Sequence, residues 1–313
     1  MRPDFKDIEK AGERLKGVIQ RSPLIRSGYF SRMLGAEIFL KLENLQETGA
    51  FKVRGAYNRL SQLHPEQRQQ GVVAASAGNH AQGIAWASAR LGIASTLVMP
   101  EDVSIRKLLS VKEYGAEVIL SGAHYNDACT HAEALCRDNG SIFVPAFDDP
   151  DIIAGQGTIG LELAENIRSD AAVVVPVGGG GLISGIAIAL KTLCPQVRII
   201  GVQTKSCPST AMSLERNSPV TVTVLPTLAD GIAVNRPGEI TFPVIQKYVD
   251  EMVLVEEEGI AGAILNLMDK ANVIAEGAGA TPLAALLDGQ VSTKAHQYIL
   301  IISGGNIELN TID

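Results

Sequence analysis

The chain has 313 residues, of which 46% are hydrophobic, and a formal net charge of −7. This length and composition are sufficient for a large buried core, and the negative charge argues against nucleic-acid and anionic-membrane partners, which require a basic face. No apolar run is long enough to span a membrane, and Met1–Glu9 is charged rather than apolar, so we expect a cytoplasmic protein without a signal peptide.

Short β-branched runs alternate along the chain with stretches of helical periodicity. The predicted strands are Ile38–Leu42, Val72–Ala75, Thr96–Met99, Glu117–Leu120, Ala171–Val175, Val197–Val202, Met252–Val255 and Tyr298–Ile302. The predicted helices are Lys52–Leu63, Asn79–Leu91, Ser104–Tyr114, Asn126–Asp138, Ile153–Ile167, Leu182–Leu193, Glu258–Lys270 and Ala278–Leu287. Because this alternation is typical of βαβ units, we predict an α/β fold with parallel sheets flanked by helices.

Two stretches interrupt the alternation of strands and helices. Pro145–Asp151 is the predicted boundary between two lobes. From Lys205 to Arg236 the chain lacks periodicity and is rich in Ser, Thr and Pro. We expect this second stretch to form a long ordered excursion near the ligand, because long irregular segments inside compact domains are usually functional.

Four consecutive glycines, Gly178–Gly181, follow a predicted strand and precede the helix predicted from Leu182. Without Cβ atoms the loop can present several backbone N–H groups to one anion, and the helix N-terminus adds its dipole. The register does not match G-x-G-x-x-G, because Ile183 or Ser184 stands where the third glycine is needed, and no P-loop Lys-Ser/Thr pair follows Gly185. A tight turn needs fewer glycines, so we predict a phosphate-bearing ligand here.

Lys52 lies within Thr48–Gly55 at the predicted start of a helix. The positive end of the helix dipole disfavours the ammonium form there, and a neutral lysine is a nucleophile suited to Schiff-base chemistry. An ordinary surface lysine is the default interpretation, and the preceding aromatic residue and the following Arg54-Gly55 pair weaken it. A phosphate site combined with a Schiff-base lysine indicates pyridoxal 5′-phosphate (PLP) as the cofactor.

Eight short motifs carry a wider resemblance. They are Lys41-Leu42-Glu43-Asn44, Gly49-Ala50-Phe51-Lys52-Val53-Arg54-Gly55-Ala56, Ser76-Ala77-Gly78-Asn79-His80-Ala81-Gln82-Gly83, Ala154-Gly155-Gln156-Gly157-Thr158, Gly178-Gly179-Gly180-Gly181-Leu182, Ala229-Asp230-Gly231, Glu276-Gly277-Ala278-Gly279 and Ser303-Gly304-Gly305-Asn306. In this order, between Ile8 and Asn310, they resemble the fold type II PLP enzymes of the threonine/serine dehydratase (threonine ammonia-lyase) branch. The resemblance implies a two-lobed fold like that of tryptophan synthase β, with a large PLP-binding domain of residues 1–62 and 151–313 and a small domain of residues 63–150.

The resemblance also implies a role for each site residue. Lys52 would carry PLP as a Schiff base, Phe51 would pack beside the ring, and Ser303 would face the pyridine nitrogen. Asn79 would hydrogen-bond the phenolic oxygen of PLP. The backbone amides of a second set would hold the phosphate: Gly178, Gly179, Gly180, Gly181 and Leu182. A third set would bind the substrate carboxylate: Ser76, Ala77, Gly78, Asn79 and His80. Glu276 is left open between a pocket acid and the N-terminal charge of a helix.

The implied reaction is deamination of L-threonine, and of L-serine, to a 2-oxo acid and ammonia by β-elimination of the hydroxyl. Alternatives are a dehydratase for another β-hydroxy amino acid, such as 3-hydroxyaspartate or a hydroxyectoine-derived substrate, a serine racemase, and a non-catalytic nucleotide- or amino-acid-binding protein. Ala77 argues against racemisation, because related racemases have serine there and a methyl group cannot transfer a proton. Gln203 stands where metal-dependent relatives have an acidic ligand, so we expect no metal requirement.

The resemblance further implies a homodimer or homotetramer that acts on a small-molecule amino acid. Ala50 departs from the pattern, because many family members have serine just before the Phe-Lys pair. Only Ile307–Asp313 follows the last motif. We therefore expect no C-terminal amino-acid-sensing domain of the kind found in biosynthetic relatives.

Overall fold

Two β-sheets and the helices that cover them form the framework of the protein, in a computed structural model that describes residues 2–307. The strands are β1 (Leu24–Arg26), β2 (Glu37–Leu42), β3 (Val72–Ala75), β4 (Ser95–Met99), β5 (Glu117–Leu120), β6 (Ile142–Phe143), β7 (Ala171–Pro176), β8 (Arg198–Thr204), β9 (Glu251–Val255) and β10 (Gln297–Ile302). The α-helices are α1 (Phe5–Leu15), α2 (Gly28–Leu34), α3 (Lys52–Ser61), α4 (Pro65–Gln70), α5 (Asn79–Leu91), α6 (Ile105–Lys112), α7 (Tyr125–Asn139), α8 (Pro150–Ala164), α9 (Gly181–Leu193), α10 (Ser209–Glu215), α11 (Thr241–Tyr248), α12 (Glu257–Ala271) and α13 (Gly277–Leu287).

The larger sheet has six strands in the order β1-β2-β10-β7-β8-β9, and the smaller has four in the order β5-β4-β3-β6. Every neighbouring pair is parallel except β1 and β2, which are antiparallel. In the larger sheet Leu300 is in register with Val174, and Ile302 with Leu42. Parallel strands bring their carboxyl ends to one edge, where loops from several strands meet.

The central strands of the larger sheet are buried on both faces. Along β7 and β10 every residue is buried, and successive side chains enter different clusters of the core. Val174 and Leu300 pack in one cluster with α12 and α13, whereas Val173 and Ile299 pack in another with α9. This is the period-2 alternation of a strand covered on both sides, and it explains the continuous apolar runs in the sequence.

The smaller sheet is covered in the same way. Val72 and Ala74 contact the cluster that contains α5, while Val73 and Ala75 contact α7. Its strands lie between Val72 and Phe143, inside the stretch 63–150 that the sequence assigns to a small domain. The division into domains stays a prediction.

The fold class is confirmed, and each predicted strand and helix is present with bounds that shift by no more than about three residues. The sequence analysis did not predict these elements: β1, β6, α1, α2, α4, α10 and α11. Helix α10 lies inside the stretch 205–236, for which the sequence predicted an ordered excursion but no helix. None of the helices in residues 2–307 is long and apolar enough to cross a membrane. The expectation that the chain has no C-terminal amino-acid-sensing domain concerns mainly residues 308–313, which lie outside the described residues.

Candidate active site

One cavity of about 670 Å³ collects the predicted site residues. Its walls come from loops at the carboxyl ends of strands in both sheets: one loop follows β3, one follows β7 and one follows β10. The predicted residues that line the cavity are Phe51, Lys52, Ser76, Ala77, Gly78, Asn79, His80, Gly178, Gly179, Gly180, Gly181, Leu182 and Ser303. Residues separated by up to about 250 positions in sequence therefore meet at one site, as expected at the carboxyl edge of parallel sheets.

The glycine loop between β7 and α9 has donors without protein partners. Among the described residues, none accepts a hydrogen bond from the N–H groups of Gly178, Gly179 or Gly180. The carbonyl of Gly179 is held by Thr241, whose Oγ1 donates to it at 2.6 Å. The first turn of α9 adds N–H groups that have no acceptor within the helix. The loop therefore offers a cluster of N–H donors to an anion in the cavity.

Side chains are excluded from this loop by the surrounding protein. A Cβ on Gly179 would lie 2.4 Å from the ring of Phe147. Gly180 has φ +94°, and a Cβ there would lie 2.6 Å from Ile245 Cδ1 and 3.0 Å from Thr241. Glycine is needed here because the backbone packs against the protein behind it, a constraint that the sequence alone did not reveal.

Lys52 is the first residue of α3 and its amine lies in the cavity. Its Nζ donates a hydrogen bond to the carbonyl oxygen of Ala146 at 2.7 Å and lies 5.2 Å from the centre of the Phe51 ring. Burial lowers the pKa of Lys52 to about 8, although the negative charge of Glu276 acts in the opposite direction. Burial disfavours the charged form, so the amine becomes neutral at a lower pH than an exposed lysine.

A buried ionic cluster fixes the start of α3. Arg54 donates to Glu43 from Nε and Nη2, both at 2.8 Å, and to Glu162 from Nη1 at 2.6 Å. Lys41 completes the cluster through Glu162 Oε2 at 2.5 Å. The two cations balance the two carboxylates, which compensates the cost of burying each charge. Arg54 lies two residues after Lys52, so this cluster holds the helix turn that carries the lysine.

Asn79 begins α5 and its amide is bonded at both ends. Its Nδ2 donates to Glu276 Oε1 at 2.7 Å, and its Oδ1 accepts from Asn306 Nδ2 at 2.8 Å. Glu276 is 7% exposed, and its side chain makes no cap bond to α13. Of the two alternatives left open for Glu276, the contact supports the pocket acid. Burial, with the charge of Asp230, raises the pKa of Glu276 to about 7.

The loop after β3 brings backbone rather than charged side chains to the cavity. Ser76 Oγ accepts from the N–H of Gly78 at 3.2 Å, directly before α5. The predicted substrate-binding residue His80 lines the cavity, but its Nε2 is already bonded to the carbonyl of Val144 at 3.0 Å. Burial and the charge of Lys52 lower the pKa of His80 to about 3, so the imidazole stays neutral. The N–H groups of the first turn of α5 have no acceptor within the helix, so they are available to an anion at this wall.

Ser303 follows β10 and is 3% exposed. Its carbonyl accepts a hydrogen bond from the N–H of Phe51 at 3.0 Å, which ties the last strand of the larger sheet to the residue before Lys52. The Ser303 residue also lines the cavity, so a neutral hydroxyl is available there.

Several cavity residues had no role in the sequence analysis. Lys107 on α6 pairs with Asp230 at 3.1 Å, and the bridge joins a helix beside the smaller sheet to a segment beside the larger one. Asp230 and Asn306 stood within quoted motifs, so a signal existed without an assigned role. Phe147 and Lys107 had no such signal, because a single aromatic or basic residue outside a motif is common on any surface.

Gln203 at the expected metal-ligand position is fully buried and caps a helix. Its Oε1 accepts from the N–H groups of Thr210 at 2.9 Å and Ala211 at 3.0 Å, at the start of α10. Within residues 2–307 no group of three or more His, Cys, Asp or Glu side chains could hold a metal ion. The absence of a metal requirement stays a prediction.

Comparisons with known proteins agree on one family. The family model described as "Pyridoxal-phosphate dependent enzyme" matches residues 15–304. The L-threonine ammonia-lyase of Thermotoga maritima is 51% identical over 309 residues, which make up 99% of this chain and 77% of that protein. The catabolic L-threonine dehydratase TdcB of Escherichia coli K12 is 44% identical, covering 98% of this chain and 94% of that protein. The solved structure of maize serine racemase matches with a TM-score of 0.95 at 33% identity, covering 100% of this chain and 96% of that chain.

Proposed function

The chain belongs to the family of pyridoxal-phosphate-dependent enzymes, and we propose that it is an L-threonine ammonia-lyase, which converts L-threonine to a 2-oxo acid and ammonia. Its cofactor is PLP. One observation carries the assignment of the site: a buried lysine of lowered pKa shares its cavity with a glycine loop whose N–H groups lack protein acceptors. The relatives named above supply the choice of threonine.

The residues of the cavity fit PLP in charge and in chemistry. The N–H groups of Gly178–Leu182 suit its phosphate, and the amine of Lys52 suits its aldehyde. Asn79 keeps one amide N–H for the phenolic oxygen, because only one is used by Glu276. Ser303 offers a hydroxyl to the ring nitrogen. We therefore assign these residues to cofactor binding.

The chain contributes proton transfer and positioning to the reaction. Bound PLP supplies an electron-accepting ring that stabilises negative charge at the substrate Cα. Lys52 Nζ then takes the Cα proton, a step that burial favours by lowering the pKa of the amine. The N-terminus of α5 binds the substrate carboxylate through its N–H groups. Ser303 would offer the ring nitrogen a neutral hydroxyl rather than an acidic partner, which would favour prompt loss of the β-hydroxyl. The hydroxyl would leave as water with the proton that Lys52 has taken from Cα.

L-Serine is the second substrate that we propose, because it differs from threonine by one methyl group and retains the β-hydroxyl. Ala77 lines the cavity and has no group that can return a proton to Cα. We therefore propose elimination rather than racemisation as the outcome with L-serine, despite the close likeness to a serine racemase. A homodimer or homotetramer in the cytoplasm stays our prediction for assembly and location.

The test is a substrate panel with the PLP-reconstituted enzyme. L-Threonine, L-serine and 3-hydroxyaspartate are assayed for 2-oxo acid and ammonia, and chiral chromatography measures D-serine. We expect equal amounts of the two products from L-threonine, slower release from L-serine, and no accumulation of D-serine. Absence of 2-oxo acid from L-threonine would overturn the proposed function.

A pair of lysine variants tests the assigned base. Lys52→Ala is expected to lower kcat by about 10³-fold or more, since it removes both the Schiff-base partner and the proton acceptor. Lys191→Ala is the matched control, because Lys191 also donates to a backbone carbonyl, that of Val197 at 2.8 Å, but does not line the cavity. Parental kcat is expected for the control, and retention of activity in Lys52→Ala contradicts the assignment.

A further inference from the structure

The buried carboxylate of Glu276 does not cap α13, the helix that follows it. It is the N-cap residue of α13, with extended φ −68° and ψ 165°, but its side chain makes no cap bond. Instead Oε1 accepts from Asn79 Nδ2 at 2.7 Å, across 197 residues of sequence. A cap residue whose carboxylate is turned towards a cavity side chain has a partner other than its own helix.

Two side chains, Glu276 and Asn306, orient the amide of Asn79. Asn306 Nδ2 donates to Asn79 Oδ1 at 2.8 Å and also to the carbonyl of Thr48 at 2.7 Å. An asparagine amide has one acceptor atom and two N–H donors. With Oδ1 held by Asn306 and one N–H held by Glu276, the second N–H is left for a ligand in the cavity.

We propose that Glu276 is a positioning residue that acts through Asn79, holding its amide so that an N–H rather than the carbonyl oxygen is presented to the phenolic oxygen of PLP. The inference rests on the cofactor role proposed for Asn79. Rotation of the amide by half a turn would place Oδ1 against that oxygen and oppose two acceptors. Asn306 opposes this rotation at Oδ1, because its own Nδ2 is also held by the carbonyl of Thr48, and Glu276 opposes it at Nδ2.

The acceptor and the charge of Glu276 can be separated experimentally. Glu276→Gln keeps an acceptor oxygen at the same reach and removes the negative charge. Glu276→Ser removes the contact, because serine is too short to reach Asn79, and serine is a favoured N-cap that supports α13. Glu276→Asp also falls short while remaining a good N-cap, so it serves as a second variant if Glu276→Ser does not fold.

Binding of PLP to the apoenzyme is the readout, measured by titration and by the visible absorption of the bound cofactor. We expect Glu276→Ser and Glu276→Asp to weaken PLP affinity about tenfold or more, as for loss of a hydrogen bond involving a charged group. Glu276→Gln is expected to stay within about threefold of the parent. Because PLP binding is measured without substrate, this result does not depend on which amino acid is deaminated.

A double-mutant cycle separates positioning from a general structural effect. In an Asn79→Ala background, Glu276→Ser is expected to change PLP affinity by less than about twofold, since the residue through which it acts is gone. Equal weakening in both backgrounds would overturn the proposal, as would equal weakening by Glu276→Gln and Glu276→Ser. Unchanged affinity in Glu276→Ser overturns it as well.

Glu256→Ser is the matched control. Glu256 is the N-cap of α12, with φ −84° and ψ 160° and no side-chain cap bond, so its backbone position matches that of Glu276. Its side chain is exposed and pairs with Lys205, away from the cavity. Parental PLP affinity is expected for Glu256→Ser, and a loss like that of Glu276→Ser would contradict a role specific to Asn79.

Discussion

Burial lowers the pKa of Lys52 in this cavity. The sequence analysis predicted a lowered pKa from the dipole of the helix that Lys52 begins. The structure gives the same direction with burial as the largest cause, while the charge of Glu276 raises the pKa. Burial depends on residues far away in sequence, so its contribution could not be predicted from the motif around the lysine.

The pKa of Lys52 predicts how fast the apoenzyme captures PLP. Only the neutral amine attacks the aldehyde, so the rate constant should rise about tenfold per pH unit below pH 8 and level off above it. Stopped-flow absorbance between pH 6 and 10 measures this rate. A lysine derivative in free solution is the reference for changes in PLP itself. A rate constant that still rises about tenfold per pH unit up to pH 10 would contradict the assigned environment.

Site residues differed in how well the sequence identified them. Lys52 was predicted from its chemistry at a helix start, whereas the roles of Asn79 and Ser303 were implied by the family resemblance. The structure brings all three to one cavity. Glu276 remained undecided because an acidic residue before a helix has the same pattern whether it stabilises the helix or enters a pocket. Only the contact with Asn79 distinguishes the two alternatives.

At the scale of elements, length and burial decided what the sequence could predict. Strands β7 and β10 are apolar throughout because both faces are buried, and their runs were recognised. Strand β6 has two residues and β1 has three, which is too short for a periodic pattern. Helix α10 was missed because its seven residues are too few for a clear periodic pattern, and the residue that caps its first turn, Gln203, lies on β8.

The glycine loop allows a prediction at this scale. Gly180→Ala should destabilise the fold by about 2 kcal/mol or more and weaken PLP binding, since φ +94° is unfavourable for alanine and the new methyl meets Ile245 and Thr241. Urea unfolding and PLP titration measure the two effects.

Gly289→Ala is the control for backbone strain alone. Gly289 has φ +63° and no atom within 4 Å of an added Cβ, so we expect a loss of about 1 kcal/mol with unchanged PLP affinity. If the two variants behave alike, the packing of Gly180 against α11 does not shape the glycine loop.

At the scale of the whole molecule, the cavity joins segments that flank two separate sheets. The loop after β3 belongs to the smaller sheet, whereas Gly178–Leu182 and Ser303 follow strands of the larger one. Protein contacts already cross between them, including the Lys107–Asp230 ion pair and the bonds of Asn79 to Glu276 and Asn306. A cofactor that contacts the loops of both sheets would add further contacts between them.

Removal of PLP should therefore destabilise both sides of the cavity together. A ligand that binds only the folded state stabilises it by about 2.7 kcal/mol at a hundredfold excess over Kd, so we expect the apoenzyme to melt about 5 °C or more below the holoenzyme.

Hydrogen exchange measures where the protection is lost. Amides at the start of α5, at the start of α9 and at the end of β10 should all exchange faster without PLP, while those of β1, at the far edge of the larger sheet, should not change. Faster exchange confined to Gly178–Leu182 would show that the cofactor is held by one wall, and the joint role assigned here to both sheets would be wrong.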